Sequence, residues 1–526
     1  MNSGPPGERP QILDLLAAGR EVRPDSPAVT DPEGVLTRRE LEEHALRLAA
    51  ALKGRGLRRG EAVEIRARPS RWAVAAMLGV LYAGGHYVPI DVALPPGRRR
   101  AMARAGGARL TVVEPDADPP QGVAPEAVVR MGRLPAVPAC PEAGTTARQG
   151  SDGAELPAYA LLTGGPDGEP APVVVTRRAL GYSTAARMGH YSEPPSVFLL
   201  CSSISSDSSA AGVYWSLATG AHLVVPAADP LDVAAIGAAA ERHRASHALL
   251  LPSLYDILLD RAELLPSLRT VIVAGEPCPP ALVRRHFALL PGTALHNEYG
   301  PPECTVWALV HRCEPVDGEG GDVPMGRPIP GTRAHVRADG HPARTGQVGE
   351  LWIEGPGVVA GGRAGGDPPP FRTGDLVRRD ARGHLRLAGR RDTLVTLAGT
   401  RLELEEVERA VRERSGARSA AVGVVRRDGL PHALVAFLVP PAPGLATLRR
   451  VLLSDLPPAV VPRTACVVDR LPVLPDGRLD RAALDRMAAD RLGSAWTGRP
   501  GTRRWTGHHE VDNDEPPGPD RRRRHH

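Results

Sequence analysis

The chain reads as an α/β protein: a large N-terminal domain of two α/β sheet subdomains plus a β-rich subdomain, then a small α+β domain. Three observations predict this. Apolar strand-like runs alternate with helical patterns over 61–130 and again over 158–310, the signature of parallel sheets. Over 315–390 the pattern changes to short strands rich in Gly and Pro, among them "GELWIEGPG" and "GHLRLAG". The stretch 392–487 then has helices and strands of its own.

Residues 11–58 are expected to be helical after a short polar start. Thr37 and Glu40 have the spacing of a capping box, and Leu41, Ala45, Leu48, Ala49 and Leu52 follow at helical intervals. Gly54 and Gly56 end that helix. Next come "AVEIRA", "RWAVAAMLGVLYAGG", "HYVPID" and "RRRAMARAGGARLTVV" as strand, helix, strand, and helix with strand. Residues 114–157, rich in Pro, Gly, Ala and Asp, predict a loop. The second α/β run has "AHLVVP", "HALLLP" and "RTVIVAG" as its apolar strands. In the last unit "ELEEVERAVRERS" and "ATLRRVLLSDLP" are helical, and "SAAVGVV" and "HALVAFLVP" are strands. The organisation expected is therefore 1–391, 392–487 and a polar, unpatterned tail, 488–526, expected to be disordered.

Composition narrows the function classes. Aromatic residues are 3% of the chain, so no stacking platform for single-stranded nucleic acid is indicated. The net charge of +5 includes a terminal run, Arg521 to Arg524, whose composition fits a solvated tail. No apolar run reaches about 18 residues and the N-terminus lacks a signal-peptide pattern, so the expected location is the cytoplasm, with no membrane partner. Six cysteines are scattered without a C-x-x-C pair, so neither a zinc site nor a redox motif is expected from sequence. Lys53 is the only lysine among 65 basic residues.

Several segments occur in a telling order: "LTRREL" at 36–41, "LYAGGHYVPIDVALPPGRR" from Leu81, "NEYGPPE" at 297–303, and "GELWIEGPGVVAGG" from Gly349. Then come "FRTGDL" at 371–376, "GRRDTLVTLAGTRLELEEVE" from Gly389, "LPPAVVP" at 456–462 and "PDGRLDR" at 475–481. Together they resemble the core motifs of the adenylation domains of nonribosomal peptide synthetases, within the superfamily of acyl-CoA synthetases and luciferases. The resemblance covers roughly residues 20–487. It implies a β-barrel-like character for the β-rich part and a small C-terminal domain that is mobile about a hinge at Asp392.

The resemblance implies chemistry with ATP and Mg2+. Asp375 would hold both ribose hydroxyls, since a carboxylate accepts two hydrogen bonds at once. Tyr299 would lie against adenine, Asn297 would meet its edge, and Glu298 and Gly300 would flank them. Glu303 would ligate Mg2+ as a hard oxygen donor. Arg390 would reach the ribose or phosphate region, and Thr163, Gly165 and Gly168 would cradle phosphate. Asp207 would bind the α-ammonium of an amino acid, since a buried carboxylate needs a cationic partner. The side-chain pocket would be lined by Ser208, Ala211, Leu250, Ile272, Ala274, Glu298, Val306 and Trp307. In a wall otherwise mostly apolar, Glu298 asks for a donor on the substrate, such as a phenol, an amine or a guanidine.

The pattern also breaks. Pro166 and Asp167 stand where hydroxyl residues are expected, Ala171 and Thr396 replace lysines, and Pro302 replaces a threonine. Arg478 stands in place of the catalytic lysine, which keeps the charge on a broad planar group. Two readings follow. In one, the chain makes an aminoacyl-adenylate and passes the acyl group to the phosphopantetheine thiol of a carrier protein, expected to be a separate polypeptide, with room for a small helper protein. In the other, it is a degenerate module of the same fold that binds a carrier or partner protein.

Overall fold

Short, unbroken apolar strands suit a parallel sheet covered on both faces, and the chain builds two such sheets. A computed structural model describes residues 11–20, 22–135, 153–164, 170–359, 369–390, 394–417, 419–427, 430–440, 445–472 and 479–493. One sheet has six strands in the order Val128–Arg130, Leu110–Val113, Ala62–Ala67, His86–Asp91, Pro157–Gly164, Pro170–Thr176. The first five run parallel and the last closes an antiparallel hairpin. The other has nine strands, with Ala294–Tyr299, Thr270–Val273, His247–Leu250, Val197–Leu200, His222–Val224 and Pro27–Asp31 parallel at its centre.

The region 11–58 is not helical throughout. Helix Ile12–Arg20 is separated from helix Arg38–Gly54 by the antiparallel strands Pro27–Asp31 and Gly34–Thr37. The reason is a distant partner: Pro27–Asp31 pairs in parallel with His222–Val224, a contact that local periodicity cannot register. The Thr37–Glu40 capping box is formed, and the buried stripe Leu41, Ala45, Leu48, Ala49 and Leu52 follows it. Within the expected loop 114–157, Val128–Arg130 instead adds an edge strand to the six-stranded sheet.

A third sheet is antiparallel, in the order His341–Pro342, Arg333–Ala338, Val348–Glu354, Phe371–Arg379, Leu385–Arg390. Its inner face forms a core with Leu351, Ile353, Val377 and Leu385. Beyond it, Ser419–Arg427, Leu430–Val439 and Thr464–Val467 form a three-stranded sheet with a core of its own around Val407, Val411, Leu434 and Leu452. This unit touches the large sheets through a nearly buried Arg98–Glu406 ion pair, and the Gly399 amide donates to the Glu276 carboxylate at 3.0 Å.

The core joining the two large sheets includes the pair of helices Arg38–Gly54 and Arg71–Ala83. They approach so closely that a Cβ on Gly79 would lie 2.7 Å from a Leu48 methyl and 2.9 Å from the Ala45 carbonyl oxygen. Gly79→Val should therefore destabilise the protein by about 1–3 kcal/mol through overpacking. Urea denaturation followed by tryptophan fluorescence checks this; an unchanged midpoint would show that the helices separate at no cost.

Candidate functional site

Strand Ala294–Tyr299 delivers three side chains in succession, alternating in direction as a strand must. The Asn297 amide donates to the Pro324 carbonyl at 2.8 Å. The Tyr299 hydroxyl donates to one oxygen of Asp375, and Arg390 donates to the other. Arg390 also donates to the Thr373 carbonyl at 3.1 Å. Asp375 and Arg390 face each other in register on neighbouring strands of the third sheet, so two sheets converge on one carboxylate. Burial, then the Asp375 charge, hold the Tyr299 hydroxyl well above its usual range, so it stays a donor.

The next turn is tightly constrained. After Gly300 the chain makes a short 3-10 turn, Pro302–Cys304, which carries a half-buried Glu303. Thr305 and Val306 then take φ of 54° and 79°, the left-handed region that costs a β-branched residue about 1–3 kcal/mol. Bonds from Ser183 to the Thr305 carbonyl at 2.8 Å and from the Thr305 hydroxyl to the Gly357 carbonyl at 2.6 Å hold it there. The loop folds back until a Cβ on Gly300 would meet the Val306 carbonyl oxygen at 2.6 Å, so only glycine fits. This fold-back brings Val306 and Trp307 into one apolar cluster with Ala211, Ile272 and Ala274. Leu250 packs instead in the second core, with Leu254 and Val273.

Asp207 and Ser208 open helix Asp207–Thr219, capped by Ser206. A carboxylate in this first turn is favoured by the helix dipole. The Asp207 charge also helps to keep the buried Tyr159 hydroxyl protonated, after burial itself. On the phosphate side, Thr163 faces Ala171 across the hairpin Pro157–Gly164 and Pro170–Thr176. Thr396 faces Arg401 in the small hairpin Leu394–Leu397 and Thr400–Glu403. Gly165, Gly168, Asp392 and Arg478 lie outside the described residues.

Glu298 corrects an expectation. Its carboxylate takes a bidentate pair from Arg187 at 2.7 and 2.8 Å, plus a bond from the Tyr191 hydroxyl. Glu298 is 3% exposed and Arg187 1%, so its need for a donor is met inside the protein. Arg187 also lies 4.4 Å from the centre of the Trp307 ring, with Trp215 and Tyr191 around it. Neither Arg187 nor Tyr191 emerges from sequence reading, because one arginine among 65 basic residues carries no mark of burial.

Two α/β sheets, an antiparallel sheet that pairs Asp375 with Arg390, and a tyrosine reaching that pair fit the class of AMP-forming ligases. Residues 16–361 match the family of AMP-binding enzymes, and the chain belongs to that family, among the adenylation domains of nonribosomal peptide synthetases. Novobiocin biosynthesis protein H of Streptomyces niveus is 32% identical over 91% of this chain and 83% of its own length. A plipastatin synthase polypeptide of Bacillus subtilis (strain 168) is 32% identical over 91% of this chain, which spans only 19% of that protein. Among solved structures, PA1221, a nonribosomal peptide synthetase protein containing adenylation and PCP domains, is 26% identical with a TM-score of 0.76. That likeness covers 91% of this chain and 84% of the PA1221 chain.

Two predictions follow from the buried cluster. Arg187→Met should cost about 3–5 kcal/mol by leaving Glu298 uncompensated, and the Arg187→Met, Glu298→Met double variant should recover most of it. Equilibrium urea unfolding of both variants checks this; equal losses in the two would contradict it. Beside the cluster, burial and then His190 hold the His296 imidazole down to about 3, and His222 and His247 are held down to about 4. Their unfolded values lie near 6.5, so the stability they confer is complete above about pH 6.5 and is lost as pH falls toward the folded values. The urea midpoint should thus drop between about pH 6.5 and 5, and His296→Asn should flatten that slope; an unchanged slope in the variant would rule His296 out as a contributor.

Proposed function

We propose that this chain activates a neutral amino acid with ATP as an aminoacyl-adenylate and passes it to the phosphopantetheine thiol of a carrier protein. The observation that carries the reading is the convergence of Tyr299 and Arg390 on Asp375, which fixes the orientation of the carboxylate that would accept from a ribose diol. Asp207, at the mouth of its helix, suits the α-ammonium group. Because Arg187 already neutralises Glu298, the side-chain pocket calls for a neutral substrate rather than one that brings a cation.

In the first half-reaction a carboxylate oxygen of the amino acid attacks the α-phosphorus, and the bond from that phosphorus to the bridging oxygen breaks. Its electron pair leaves with pyrophosphate. Arg478 supplies positive charge between carboxylate and phosphate, as a broad fork in place of a compact ammonium. Glu303 is a hard oxygen donor suited to Mg2+, which when bound neutralises charge on the triphosphate. In the second half-reaction the carrier's thiolate sulfur attacks the acyl carbon, and AMP departs with the electron pair of the broken C–O bond. Rotation of the small domain about Asp392 serves the change between the two steps.

One feature favours the second reading, a degenerate carrier-binding or partner-binding module: Ala171, at the position of a phosphate-side lysine, gives Thr163 no cationic neighbour across the hairpin. Amino-acid-dependent ATP–pyrophosphate exchange across proteinogenic and unusual amino acids separates the two. Exchange with a neutral amino acid is expected, and Asp375→Ala should lower kcat/KM by more than about tenfold, since bonds to a charged acceptor contribute ~1.5–3 kcal/mol. No exchange in the wild type or in the Arg478→Lys, Ala171→Lys double variant would leave the binding module.

A further inference from the structure

We propose that Cys278, His311, Cys313 and Asp317 form a structural zinc site behind the strand that carries Asn297 and Tyr299. The inference is independent of the proposed ligase activity. His311 lies on strand Leu309–Arg312, Cys313 follows it, and Asp317 sits in the 3-10 turn Pro315–Gly318. One ligand atom from each of these three lies within 4.8 Å of the others. Cys278, on the segment leading into helix Pro280–Leu289, brings its thiol into hydrogen-bonding contact with Cys313. An imidazole, a thiol and a carboxylate thus meet at one place with a second thiol beside the first, although the sequence spaces them over forty residues and offers no C-x-x-C signal.

The chemistry of the set selects zinc. Thiolates with imidazole and one carboxylate match a borderline-soft divalent ion and not Mg2+, which prefers oxygen. Tetrahedral bonds of ~2.0–2.3 Å put ligand atoms about 3.3–3.8 Å apart, so His311, Cys313 and Asp317 close on an ion with about 1 Å of movement, and Cys278 would swing in from beside Cys313. The site is also sealed: Cys278 is 7% exposed and Cys313 4%, and the side chains of His311 and Asp317 are 10% and 11% exposed. Four protein donors without an open position define a structural rather than a catalytic centre. The His384 ring lies edge-on to His311 at 5.1 Å, and the 2.8 Å bond between His311 and Asp317 would give way to bonds from both side chains to the ion. With no metal, the Cys278 contact and then burial push the Cys313 thiol well above its usual range; a bound zinc ion reverses this and holds the thiolate.

The ion would act as a clamp. His311 faces Asn297 in register, and the Cys313 amide donates to the Leu295 carbonyl at 2.8 Å. Cys278 lies two residues beyond Glu276, whose carboxylate accepts from the Ser253 and Gly399 amides, each at 3.0 Å. Zinc would therefore tie the segment after strand Thr270–Val273 to the strand behind the tyrosine.

The test is zinc content of the full chain, measured by plasma mass spectrometry after exhaustive dialysis, for the wild type, Cys278→Ser and Cys313→Ser. The expected result is about one zinc ion per wild-type chain and a more than tenfold loss in each variant, which also controls for histidines elsewhere in the chain. Cobalt(II) added to metal-stripped wild type should give thiolate-to-cobalt charge-transfer absorption, a readout that needs no variant to fold. Overturning results are a wild type that holds no zinc and shows no such band, a band that survives Cys313→Ser, or a Cys278–Cys313 disulfide found by peptide mapping without reductant.

Discussion

A carboxylate sealed inside a protein is costly unless it is paired or hydrogen-bonded, and the arrangement of this site depends on the partner that Glu298 has in Arg187. Strand Ala294–Tyr299 presents Asn297 and Tyr299 on either side of Glu298, so the strand cannot deliver the first two without burying the third. Arg187 makes that burial tolerable through two parallel bonds, and Trp307, Trp215 and Tyr191 surround its guanidinium. The same packing seats Trp307 at the apolar cluster and braces the fold-back at Thr305 and Val306. Fold, site and pocket are therefore coupled through one ion pair.

Much of the architecture was legible because it is local. The capping box at Thr37 and Glu40, the apolar strands and the amphipathic helices follow from periodicity, and the structure forms them. What periodicity missed was non-local: strand Pro27–Asp31 exists because His222–Val224 lies beside it, and Val128–Arg130 exists because Leu110–Val113 offers an edge. Neither pairing leaves a mark in its own segment.

The site shows the same division. Ordered motifs pointed to Tyr299, Asp375 and Arg390, and these three meet. Glu298 stands out in the sequence as an acid in an apolar wall, but its partner sits more than a hundred residues earlier, on helix Arg177–His190. Leu250 falls into the neighbouring core, because a change of one residue along a strand changes its face. The cysteines carried no spacing signal, since Cys278 and Cys313 are neighbours only in space.

The central claim is that this frame holds an aminoacyl-adenylate by Asp207 at one end and Asp375 at the other. The most direct measurement is calorimetric binding of a non-hydrolysable adenylate analogue, a neutral aminoacyl sulfamoyl-adenosine, to the wild type, Asp207→Ala and Asp375→Ala. The account predicts saturable one-site binding to the wild type, weakened at least about tenfold by each substitution, since each removes a charge-assisted contact. Binding of equal strength in all three proteins would contradict it.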